Sequence, residues 1–160
     1  MAAILNLYLT GGATNSDPNA SLGGTRSSTQ VSSTALNNIF DNVQPDEATN
    51  GDTEYRAIAI VNDGDATATS VALYMSNETS SADTQLDFGS EGVDPASPIT
   101  IADESTAPTG ITFGHYNSSN KLSLPDIPAG SECRIWIKRT VAAGAINTGN
   151  DQGTIAIDYA

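Results

Sequence analysis

The chain has 160 residues, a length that suits one domain able to bury a core without covalent staples. Nineteen acidic residues against six basic ones give a net charge of −13, which disfavours nucleic acids and anionic membranes as partners. The single cysteine, Cys133, excludes an internal disulfide and a cysteine-ligated zinc site.

The first predicted element is a strand over residues 3–9, AILNLYL. Its apolar run lacks a basic lead-in and is too short for a secretion signal or a membrane span, so a soluble chain made in the cytoplasm is expected. Residues 10–28 carry paired glycines, a proline and small polar residues, and can bury little apolar surface. A stretch of that length has two readings: a long surface loop, or an arm that orders against a neighbouring protein. The chain is accordingly divided into 1–28, an N-terminal strand and arm, and 29–160, a β-sandwich domain. On the arm reading, removing residues 1–28 leaves the remainder folded.

In residues 30–43, Val31, Ala35 and Ile39 fit one helical face, but frequent Ser, Thr and Asn favour a strand or extended segment with a short turn. Residues 44–54 read as a polar, turn-rich lead-in centred on Gly51. Residues 55–62 are apolar on both faces, as in a central strand covered on both sides. An Asn-Asp-Gly turn follows. Residues 69–76 then place Val71, Leu73 and Met75 on one face, so the pair is a hairpin or a crossing between two sheets.

Residues 78–120 are loop-rich, with short strands expected at 84–88, 99–101 and 111–113, and with Pro95, Pro98 and Pro108 breaking longer elements. From Glu132 to Thr140 the alternation is strict. Cys133, Ile135 and Ile137 face one way, Arg134, Trp136 and Lys138 the other, and Cys133 reads as a small core residue. The last strand points Ile155, Ile157 and Tyr159 inward. Short alternating strands separated by turn signals predict an all-β fold. The expected architecture is an antiparallel β-sandwich, immunoglobulin-like or jelly-roll-like, with an extended N-terminal arm or long loop.

Chemistry-bearing motifs are few. His115 is the only histidine, no nucleophile elbow accompanies it, and it reads as structural; a polar cleft converging on it would count against that reading. NDGDAT and NTGNDQG gather carboxylates and glycines but lack the closing glutamate of a calcium loop, and read as Asx-rich turns. No catalytic residue, cofactor or metal ligand is predicted. In RIWIKR, Arg134, Trp136 and Lys138 share a face. They either anchor an interface with an acidic patch on a partner or a second copy, or Trp136 packs under residues 78–120 with its flanking charges reaching out.

Two segments resemble a pattern found in tailed-bacteriophage virion proteins: FDNVQPDEATNGDTEYRAIAIVNDGDATATSVALYMS and LPDIPAGSECRIWIKRTVAAGA. An acidic Gly-Asp lead-in precedes EYR, an apolar strand, an Asn turn and a second strand; downstream, IPAG precedes a strand with IW and a basic pair. The resemblance implies a non-enzymatic capsid decoration (cement) protein with an immunoglobulin-like sandwich. Such a protein sits on the virion exterior, binds the major capsid protein or another virion protein, stabilises capsomer joints and self-associates, a homotrimer included. The contact residues expected on this reading are Ile4, Leu5, Leu7, Tyr8 and Arg26 of the strand and arm, with Arg134, Trp136 and Lys138. The alternatives are a tail, neck or baseplate component, or a carbohydrate-binding adhesive module using Trp136, Tyr116 and Tyr74 as an aromatic platform.

Overall fold

The doubly apolar stretch becomes β2 (Asp52–Asn62), which pairs antiparallel with β6 (Glu132–Val141) from Asp52↔Val141 to Val61↔Glu132. The computed structural model describes residues 1–160. β1 (Leu5–Leu9) flanks β2 and β4 (Thr84–Val93) flanks β6, giving a four-stranded sheet of order β1-β2-β6-β4. β3 (Ala72–Asn77), the two-residue β5 (Leu122–Ser123) and β7 (Thr154–Asp158) form a second sheet of order β5-β3-β7. From β2 onward every successive strand lies in the opposite sheet, so β2 and β3 are a crossing pair and not a hairpin. The larger sheet has the A-B-E-D order of a constant-type immunoglobulin sandwich, and the antiparallel pair β3–β7 stands where strands C and F do.

Alternation decides what each strand buries. Ile58 and Ile60 of β2, Phe88 of β4, and Cys133, Ile135 and Ile137 of β6 meet Leu73 and Met75 of β3 between the sheets, closed by Ala68, Val71, Leu124 and Ile127. Each fully buried large apolar side chain here contributes roughly 1.5–3 kcal/mol.

The opposite face of β2 and β6 is buried too. Ala57 and Trp136, both fully buried, pack with Ile101 beneath Leu22, Ile99, Ile111 and Phe113, a second small core outside the larger sheet. Residues 10–28 form part of its cover, through Leu22. Thr10 and Ser21 are buried and both hydroxyls donate to the Ala57 carbonyl; the Ala57 N–H donates to the Ser21 carbonyl; and Gly24 N–H donates to Ile99 O. The segment is thus the long loop and not a projecting arm. Its small polar residues bury few apolar atoms, yet they satisfy the β2 edge beyond the point where β1 ends. β1 and this loop are hydrogen-bonded to the larger sheet, and Leu22 packs on its outer core.

Several local expectations change. Residues 30–43 form no strand; Leu36 and Asn37 take left-handed backbone angles, and Val31, Ile39 and Phe40 pack against the core from a loop. A six-residue helix α1 (Pro45–Asn50) occupies the expected turn region. Pro45 opens it, the Glu47 carboxylate accepts the Gln44 N–H at 2.7 Å, and Gly51 (φ 79°) ends it. Residues 99–101 contribute only a bridge, Gly23↔Thr100, and 111–113 are irregular. Ile155 and Ile157 pack on the core as expected, but Tyr159 lies beyond β7 and is exposed.

Candidate functional site

The expected contact residues divide into buried and accessible ones. Arg134 and Trp136 have no exposed surface. The Trp136 indole lies under the loops, its N–H donating to Glu91 Oε1 at 2.6 Å. Arg134 donates to the Gly24 carbonyl and to Glu132, both at 2.6 Å, so its charge is held inside the fold and does not reach out. Both residues are unavailable as interface anchors, because the cover of the β6 outer face comes from loops distant in sequence. Lys138 is a quarter exposed and pairs with Asp87 at 2.7 Å. On β1, Leu5 and Leu7 pack against the core, whereas Ile4 is half exposed. Tyr8 donates to Asp63 at 2.9 Å and lies beneath the Arg26 guanidinium at 5.2 Å; Arg26 in turn pairs with Glu132 at 2.7 Å. The accessible members are therefore Ile4, Tyr8, Arg26 and part of Lys138. The three proposed platform aromatics share no face: Trp136 is in the outer core, Tyr116 packs against the main core, and Tyr74 lies with Lys121 and Asp158 on the smaller sheet.

His115 does border a polar cleft, of about 300 Å³, lined by Glu78, Thr79, Ser81, Thr84 and Gln85 among others. Its Nδ1 lies 3.0 Å from the Leu86 carbonyl and 3.6 Å from Asp87; its Nε2 lies 3.2 Å from Glu78. With acceptors at both nitrogens the ring is best satisfied as imidazolium. Burial pulls its pKa down, but the Leu86 carbonyl and the Glu78 and Asp87 carboxylates outweigh that and raise it. Two of the cleft's hydroxyls are engaged elsewhere: Thr79 donates to Thr84 O and Ser81 accepts from Asp83 N–H. No hydroxyl is hydrogen-bonded to His115, so no nucleophile–base pair is assembled there. The buried Cys133 thiol is pushed up by burial, against the Ser90 hydroxyl, and stays protonated.

A third cluster escaped sequence reading. Glu54 and Arg56 share a face of β2, and the register sets Glu54 opposite Arg139. Arg139 forks onto Glu54, with Nε donating at 2.5 Å, and also donates to the Asp41 carbonyl. Arg56 reaches Glu104 and lies 3.8 Å from Glu54; the guanidiniums of Arg56 and Arg139 both lie over the Phe40 ring, at 5.4 and 4.9 Å. Burial pushes Glu54 up to about 7, against the pull of Arg139 and Arg56. Glu47, Asp52 and Glu54 bring oxygens within 4.8 Å of one another. The counter-charge at Glu54 is supplied by two arginines, and Glu47 caps α1, so the group is explained by the fold. The only sequence signal was the i, i+2 spacing of Glu54 and Arg56; Arg139 joins through pairing register. The Asx turns likewise serve the backbone: Asp65 accepts Ala2 N–H, and Asp151 accepts Ser81 N–H.

One property unites these sites. All six lysines and arginines of the chain are in ion pairs: Arg26 and Arg134 with Glu132, Arg56 and Arg139 with Glu54, Lys121 with Asp158, and Lys138 with Asp87. No family model matches the chain, and neither the curated proteins nor the solved structures contain a match.

Proposed function

We propose that the chain is a non-enzymatic structural component of a tailed-phage virion, a decoration protein that attaches to the outside of the capsid shell. The observation that carries this reading is the ion pairing of all six lysine and arginine side chains, which leaves an acidic exterior without a free lysine or arginine. Such a surface repels packaged or free DNA, and a two-core sandwich presents it. The resemblance of the β2–β3 and β5–β6 segments to virion proteins supports that location. Attachment across capsomer joints would add roughly 1,000 Å² or more of buried area at each joint, multiplied by avidity around the shell. The accessible side chains Ile4, Tyr8 and Arg26 are the β1-side contact set for that attachment.

The test is the copy number of this chain in purified particles, read by quantitative mass spectrometry. Hundreds of copies per particle support the shell position. A dozen or fewer place the chain in the tail, neck or baseplate, and none overturns the viral reading altogether.

A further inference from the structure

Three of the four sheet edges are covered or short. The outer edge of β1 bonds to residues 27–31, where Leu9 N–H donates to Thr29 O and Val31 N–H to Leu7 O. The edge of β4 exchanges two bonds between Phe88 and Gly114, and β5 is two residues long. β7 is different. On β3, Val71 and Met75 turn their main-chain groups away from β7, toward Leu124 and Tyr116, so Ala72 and Tyr74 face β7 and pair with Asp158 and Ala156. By alternation the N–H and C=O groups of Ile155 and Ile157 point outward, and no strand pairs with them. This is where an immunoglobulin sandwich places its last strand, G, beside F. The side chains tell the same story. Ile155 and Ile157 pack on the main core yet remain only half buried, as apolar residues do at an unclosed edge.

We infer that the outer edge of β7 is a strand-addition site that takes an extended segment of a partner protein in which apolar residues alternate with lysine or arginine. The alternation follows from the pleat. One set of side chains would extend the core over Ile155 and Ile157, and the other would stand on the outer face beside Asp158. The charge follows from the host, which carries −13 with every lysine and arginine already paired. A second copy of this chain is the poorer occupant, since it brings the same net negative charge to the contact. The inference holds for a shell protein or any other partner.

The full chain is to be mixed with a synthetic nine-residue peptide of alternating valine and lysine while amide exchange is followed by NMR. Without peptide, the Ile155 and Ile157 amides exchange freely. With excess peptide, both slow at least about tenfold, with no comparable change on the acidic surface elsewhere. A valine–glutamate peptide, and a valine–lysine peptide N-methylated at alternate amides, leave them unchanged. Unaltered exchange with the valine–lysine peptide overturns the site, as does equal protection by the N-methylated one, which would mark general charge attraction. Protection of the two amides in the free monomer shows a covered edge and also overturns it. Protection that grows with chain concentration, alongside a dimer in sedimentation, assigns the edge to a second copy and overturns the proposed partner.

Discussion

The Glu91 carboxylate joins Trp136 to a loop that lies far from it in sequence. One oxygen accepts the indole N–H at 2.6 Å, and the other accepts the Ile99 N–H at 3.0 Å. The carboxylate therefore closes the lid of the outer core over the only tryptophan. Glu91→Ala leaves a buried indole donor unpartnered and releases residue 99, a loss of about 1–3 kcal/mol. Urea unfolding followed by Trp136 emission checks it. The expected native spectrum is blue-shifted, as for a fully buried indole, and its midpoint falls in the variant.

Gly23 lies against the same indole. A Cβ there would meet the Ile99 carbonyl oxygen at 2.0 Å and the Trp136 ring at 2.9 Å, with φ at +91°. Gly12 also has a positive φ, +119°, but a Cβ there meets nothing within 4 Å. Gly23→Ala is expected to cost more than about 2 kcal/mol, and Gly12→Ala about 1 kcal/mol from backbone strain alone. Equal midpoints for the two variants in parallel urea titrations would refute the close approach of the 10–28 loop to the sheet.

Deletion of residues 1–28 removes β1, the Ser21 partner of Ala57 and the Leu22 part of the outer-core lid. The truncated chain is expected to lose cooperative unfolding and amide dispersion in NMR spectra. A well-dispersed, cooperatively unfolding fragment would restore the detachable arm.

Two groups make stability fall as pH rises from the acid side through neutrality. Glu54, at about 7 in the fold, holds a proton between its ordinary 4.5 and 7 that the unfolded chain has released, so its contribution declines as pH rises through that window. His115 is raised, so its imidazolium contribution is complete below about 6.5 and is lost as pH rises through its higher folded value. Each group adds a slope of at most about 1.4 kcal/mol per pH unit. Glu54→Gln should remove the lower part of the slope and His115→Gln the upper part. The general relief of the −13 charge on acidification acts on all three proteins alike and weakens in salt. Superimposable pH profiles for wild type and both variants would contradict both assignments.

Cys133 is fully buried, its thiol raised by burial and in contact with the Ser90 hydroxyl at 3.6 Å. An aromatic disulfide reagent should label it only as fast as the chain unfolds. Rapid stoichiometric labelling of the native protein would mean that the main core opens locally.

What the sequence determined by itself was the identity and facing of its strictly alternating strands. Alternation along residues 55–62, 71–75 and 133–138 specifies two apolar faces for β2, an inward Val71–Leu73–Met75 row, and opposite sides for Cys133 and Trp136, because side-chain direction on a strand is a local property. Only the tertiary structure decided what covers each face. Arg134 and Trp136 vanish under residues 22–24 and 99–113 because a face is buried by whichever distant loop returns over it, and periodicity carries no information on that return. Glu54 meets Arg139 through a register set by the whole β2–β6 ladder, and the outer edge of β7 stays unpaired because its neighbours are chosen by topology. Facing is encoded residue by residue, whereas cover and pairing are long-range contacts that exist only once the chain has closed on itself.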